Sequence, residues 1–143
     1  MNIEDLFKDY NKNKFSFLLL VKEGIDRTTY DFLYEKLSAK INVVPIKGSK
    51  YTNEDKILAV EKANFVVTGI GETLDICVEK KTPALCDVSS NTLEKNYPDF
   101  IDFFDPFRNE VTKPYYQDKH LDLLLKEIYK QLDRHKIDYV NYL

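Results

Sequence analysis

The chain has 143 residues, 43% hydrophobic and 31% charged, so a single domain spanning 1-143 can close a core without disulfides or a structural metal. Its 21 basic and 24 acidic side chains are mixed along the sequence, leaving a net charge of -3 and no basic stripe for a nucleic-acid backbone. The longest apolar run, "FSFLLLV" from Phe15 to Val21, falls well short of the roughly 20 residues that span a bilayer, and "MNIEDLF" lacks the basic and apolar pattern of a signal peptide, so a cytoplasmic protein is expected.

Ile3, Leu6, Phe7 and Tyr10 follow the spacing of one helical face and predict a short leading helix. "FSFLLLV" then reads as a strand covered on both faces and closed by Gly24. Asp26 stands as N-cap to "RTTYDFLYEKLSAK", whose stripe is Tyr30, Leu33, Tyr34 and Leu37. "INVVPI" is a second strand. Thr52 and Asp55 resemble a capping box before a third helix with Ile57, Leu58 and Val60 on its apolar side. "NFVVT", "ETLDICVEKK" and "PALCDV" continue as strand, helix and strand.

Strand alternating with helix at this period means βαβ units and a parallel sheet. The expected fold is therefore α/β: a single three-layer, Rossmann-like domain with about four strands and a C-terminal helix. That helix is predicted over Lys119 to His135, through Leu121, Leu124, Leu125, Ile128 and Leu132. Phe17, Leu19, Val43, Phe65, Val67, Ala84 and Leu85 are the expected sheet core. "YPDFIDFFDPF" has no clean period and reads as loop with a short helix. Its aromatics, Tyr97, Phe100, Phe103, Phe104 and Phe107, with Tyr115 and Tyr116 beyond, predict either a satellite core or a partner surface.

Two cysteines, Cys77 and Cys86, fall in a helix and a buried strand and read as core thiols. His120 and His135 lie far apart on one polar helix, so neither a metal site nor a cofactor is expected.

The informative stretch is "TGIGET". Gly69 and Gly71 permit close backbone approach between strand and helix, and a helix beginning near Glu72 would aim free N-H groups outward, which suits a phosphate. The candidate ligand-binding residues are Gly69, Ile70, Gly71, Glu72, Thr73 and Asp75. The turn lacks the full G-x-G-x-x-G pattern and the Gly-Lys-Ser/Thr of a P-loop, and Glu72 competes with an anion. Asp87 and Ser89-Ser90 add polar groups at the same sheet edge, and Arg27 is a cation near the first strand's end.

"ANFVVTGIGETLDICVEKKTPALCDV", Ala63 to Val88, resembles the C-terminal lobe of two-lobed, GT-B-type nucleotide-sugar enzymes: glycosyltransferases, capsule-synthesis proteins and UDP-sugar 2-epimerases. Those families carry an Ala-Asp pair, an apolar strand, a small-residue turn, an acidic helix and Gly-Lys-Pro before the next strand. Asn64 stands at the Asp of the pair, Gly71 at a turn glycine, Asp75 at the acidic helix position, and Lys81-Thr82-Pro83 at Gly-Lys-Pro. The resemblance implies a nucleotide or nucleotide-sugar ligand, with the diphosphate on the turn and the ribose hydroxyls on Asp75. It also implies surface polysaccharide synthesis and a second lobe, hence a protein partner or homo-oligomer. The stretch is also similar to the nucleoside deoxyribosyltransferase group, which implies Asp75 as a catalytic nucleophile at the anomeric carbon, with Tyr30 or Asp26 lining the pocket. A non-catalytic Rossmann-like interaction module is the third expectation.

Overall fold

The structure, a computed structural model, describes residues 3–7, 16–48, 50–87, 97–104 and 117–140. After a 3-10 helix at Ile3–Phe7 come β1 (Phe17–Val21), α1 (Arg27–Ser38), β2 (Asn42–Ile46), α2 (Asn53–Lys62), β3 (Phe65–Thr68), α3 (Glu72–Lys80), β4 (Ala84–Asp87), β5 (Ile101–Phe104) and α4 (Gln117–Arg134). The five strands pair in parallel in the order β2-β1-β3-β4-β5. The α/β class and the C-terminal helix are as the sequence predicts.

Local chemistry accounts for the element ends. Asp26 caps α1 by accepting from the Thr29 amide at 2.7 Å. Thr52 and Asp55 complete a capping box on α2, with Asp serving where Glu is usual. Lys81 ends α3 in the left-handed conformation, φ 58°, at the position where the resembled families carry glycine. Pro45 sits on β2, an edge strand, where a missing N-H leaves no interior partner unpaired.

Direction along the sheet reverses after β2. Keeping one crossover hand then requires the helices to change faces. They do: α1 and α4 cover Leu18, Leu20, Val43, Phe65, Val67 and Leu85, while α2 and α3 cover Leu19, Val21, Val44, Val66, Ala84 and Cys86. Each strand alternates between the two cores, as a period of two demands.

Several expectations are corrected in detail. "IDFF" is a fifth strand rather than loop, pairing Ile101 with Ala84 and Phe104 with Asp87. Its pattern is hard to read because it is an edge strand, half-buried after Ile101, and because Asp102 interrupts the apolar run. That carboxylate accepts from Arg134 of α4 at 2.7 Å, and Arg134 also donates to the Asp99 carbonyl at 2.9 Å. The aromatics divide across the sheet, Tyr97, Phe100 and Phe103 joining the α2/α3 core and Phe104 the α1/α4 core. Phe107, Tyr115 and Tyr116 lie outside the described residues, as do Ser89 and Ser90. Phe17 is only half-buried, whereas the other six expected sheet residues are buried. Tyr34 and Leu58 face outward, and Thr29 and Ala59 take the inner places beside them. The leading helix is a 3-10 turn through Phe7, the rest of its predicted span lying outside the described residues.

The α4 stripe gives a direct test of this packing. Leu124 is fully buried, and Leu124→Ala should cost about 2–5 kcal/mol. Leu123 is 40% exposed, and Leu123→Ala should stay within about 0.5 kcal/mol. Urea midpoints measure both; equal losses would contradict the assigned face.

Candidate functional site

Ligands of open parallel sheets bind beyond the carboxyl ends of the strands, where strand order reverses. In this order the reversal lies between β1 and β3. The connections that meet there run from Lys22 to Asp26 and from Gly69 to Gly71.

Their contact explains the glycines. The Gly69 amide donates to the Glu23 carbonyl at 2.7 Å, and a Cβ on Gly69 would collide with that oxygen and with the Gly24 backbone. Gly71 is extended, φ 165°, so conformation does not select it; a Cβ there would collide with the Glu23 carboxylate. Gly24 itself has φ 75° and lies against the Ile70 backbone. Two loops are locked face to face.

Gly71, at the N-cap of α3, has no side chain to cap it. Glu23 caps the helix instead, from a distant part of the chain. Its Oε1 accepts from the Thr73 amide at 2.9 Å and its Oε2 from the Thr73 hydroxyl at 2.9 Å. Lys56 of α2 donates to the same carboxylate at 3.3 Å and lies 3.6 Å from Glu72. Burial alone would raise the Glu23 carboxyl; hydrogen bonds from Thr73 and then the Lys56 charge outweigh it and hold the group below its ordinary value. The Thr73 N-H that a phosphate would use therefore already holds a carboxylate.

Gly69, Ile70, Gly71, Glu72 and Thr73 are thus gathered at the carboxyl end of β3, where the sequence places them. Thr73 is buried and holds Glu23, Glu72 is exposed beside Lys56, and Ile70 is 44% exposed. Asp75 lies exposed on the first turn of α3, its side chain without an ion pair among the described residues. Tyr30 is a core residue instead of a pocket group, its hydroxyl donating to the Leu20 carbonyl at 3.1 Å. Asn64, at the position of the families' Asp, accepts from the Phe17 amide at 2.8 Å and pins the start of β1.

A second group lies on the α1/α4 side of the same edge. Asp87 ends β4 on the face of Leu85, opposite Phe104 in register, and is 8% exposed. Among the described residues no group donates a hydrogen bond to its carboxyl. Burial first, and the charge of Asp26 second, push it up from 3.8 to about 6. His120 of α4 packs its ring 5.3 Å from that of Phe104. Burial lowers the imidazole below 6.5 while Asp26 pulls it upward. Sequence reasoning places Asp87 at this edge and misses its burial and its neighbours; the available signal is a carboxylate closing a wholly apolar strand.

The cysteines remain thiols in the core, each pushed up to about 12, chiefly by burial. Among the described residues no three His, Cys, Asp or Glu side chains stand together as a metal would need, and no helix is long and apolar enough to cross a membrane.

Two carboxylates of this edge have opposite pH signatures. Glu23 has a depressed pKa, so its contribution is present above the unfolded value near 4.5 and lost as pH falls below it. Glu23→Gln should cost about 1–3 kcal/mol at pH 7 and flatten this acid loss in urea titrations from pH 7 to pH 3. An unchanged acid limb would sink the latch.

Asp87 binds its proton more tightly folded than unfolded, so stability falls as pH rises from 3.8 to about 6 and stays lower above that. That rise corresponds to ~3 kcal/mol at most. Asp87→Asn should therefore stabilise the protein by about 1–3 kcal/mol at pH 7 and change little near pH 4. Destabilisation at pH 7 would show that the carboxylate has a native partner.

No protein-family model matches the chain, and no curated protein and no solved structure matches it.

Proposed function

We propose that this domain binds a nucleoside at the carboxyl edge of its sheet, beside the reversal between β1 and β3. The observation that carries this reading is the occupied cap of α3, where Glu23 holds the Thr73 N-H. A diphosphate arriving there would meet the carboxylates of Glu23 and Glu72, with Lys56 already engaged by both. An uncharged sugar and base meet no such repulsion, and carboxylates accept readily from sugar hydroxyls.

In this reading the sugar lies over Gly69, Ile70 and Gly71, and Asp75 faces it. Asp75 then either holds hydroxyls or, as the likeness to nucleoside deoxyribosyltransferases implies, attacks the anomeric carbon. The nucleotide-sugar lobe is the competing reading. It requires Glu23 to leave Thr73 and α3 to lose its cap.

Melting curves with thymidine, 2'-deoxyadenosine and UDP-glucose separate the two, because a ligand at 100 times its Kd adds about 2.7 kcal/mol. Stabilisation by a nucleoside and none by UDP-glucose is expected. The reverse would favour the nucleotide-sugar lobe, and no shift with any of them would leave an interaction module. Asp75→Asn then assigns the side chain: a hydroxyl-binding role loses about 1.5–3 kcal/mol of affinity, whereas a nucleophile keeps affinity and loses turnover.

A further inference from the structure

We propose that His135 is a proton-sensitive clasp at the amino end of the sheet: a proton on its sealed imidazole loosens the last turn of α4 from the edge strand β5. The joint lies at the opposite end of the sheet from the nucleoside site and does not depend on that reading.

Native structures seldom leave a sealed polar atom unpaired without a reason. Two side-chain atoms among the described residues are in that state, the Thr68 hydroxyl oxygen and Nε2 of His135. Of the two groups, only the imidazole changes charge between pH 5 and 8. Its Nε2 stands 3.9 Å from Oδ2 of Asp102, too far for a hydrogen bond, and the side chain is 16% exposed. Arg134 already donates to that oxygen at 2.7 Å and reaches on to the Asp99 carbonyl at 2.9 Å. Arg134 thus ties the end of α4 to β5 and to the turn before it, and His135 sits against this tie without taking part in it.

The helix end holds the ring where it is. The His135 amide donates to the Gln131 carbonyl at 3.0 Å. Lys136 follows in the left-handed conformation, φ 58°, donating to the Asp133 carbonyl at 3.1 Å, and the Ile137 amide closes the turn on the Leu132 carbonyl at 2.9 Å. With the backbone fixed on both sides, a charged ring gains water by opening the last turn.

A proton on Nε2 brings a second cation to a carboxylate that Arg134 already neutralises. The charged groups facing the ring among the described residues are Asp102 from β5, which favours the imidazolium, and Arg134 from α4, which opposes it; β3 presents the Phe65 ring, 6.2 Å away. The carbonyl end of α4 also favours a cation. Burial first, and Arg134 second, outweigh Asp102 and hold the imidazole below its ordinary 6.5. The unfolded chain then takes up the proton more readily, so the contribution to stability is full above about pH 6.5 and falls as pH drops below it.

NMR on the full chain reads ring and backbone together. The His135 Cε1–H signal should titrate below 6.5 in wild type, lower still in Asp102→Asn and higher in Arg134→Gln, because the first removes the attracting charge and the second the repelling one. Between pH 7 and pH 5, with intrinsic exchange rates allowed for, the amides of Ile101–Phe104 and Gln131–Ile137 should lose hydrogen-exchange protection. They should do so with a weaker urea dependence than the amides of β1, the mark of a local opening. His135→Gln should remove this loss and His120→Gln should keep it. A wild-type midpoint at or above 6.5 would overturn the clasp, since acid would then tighten the joint. So would a loss of protection that persists in His135→Gln, or a urea dependence equal to that of β1. The wild-type titration and His135→Gln decide the matter even where Asp102→Asn or Arg134→Gln fails to fold.

Discussion

A single carboxylate joins the two loops on which the carboxyl edge depends. Glu23 leaves β1, crosses the reversal in strand order and caps α3 through Thr73, while its backbone carbonyl receives the Gly69 amide. A helix whose N-cap is glycine has no side-chain acceptor of its own, and an uncapped N-terminus costs about 0.5–2 kcal/mol. The remote cap removes that deficit and holds the two connections in register. It also dictates composition, since side chains at Gly69 and Gly71 would fill the space that Glu23 occupies. The glycines that look like a phosphate cradle are first of all the room left for another loop.

The same edge treats its carboxyl groups in three ways. Glu23 receives three donors and is held ionised; Asp26 receives one helix amide and stays exposed; Asp87 receives none among the described residues and holds its proton to about pH 6. The difference comes from the sheet's pleat. Alternation sends Thr68 and Cys86 toward α2 and α3, where Lys56 and the α3 terminus supply positive potential, and sends Asp87 toward α1 and α4. On that side the charge that acts on it, among the described residues, is that of Asp26.

How much of this was legible follows the range of each interaction. The Asp26 cap, the Thr52–Asp55 box and the alternating cores are local patterns, read within a few residues, and they are present as expected. The strand β5 escaped because its aromatics serve opposite faces and its Asp102 is explained only by Arg134 on α4. Glu23 stands just past a strand end with no local signature. Its role needs Thr73, and nothing near Glu23 in sequence announces that partner. Asp87 was legible as a polar group at the edge, but its isolation depends on what α1 and α4 bring over it.

The remaining polar anomalies sharpen the division of the edge. Thr68 is wholly buried at the end of β3 and its hydroxyl finds no partner among the described residues, yet it turns toward the α2/α3 side, where Glu23 is already satisfied. Cys77 and Cys86 line that same core as protonated thiols and bring no nucleophile near neutral pH. On the α2/α3 side Glu23 and Thr73 form a structural joint, with Ile70, Glu72 and Asp75 exposed beside it. The α1/α4 side keeps a carboxyl that lowers stability at neutral pH, with no donor to it among the described residues. The two sides of the edge thus act oppositely on the fold: a carboxylate with three donors strengthens it, and a carboxyl that must ionise against its surroundings weakens it above about pH 6.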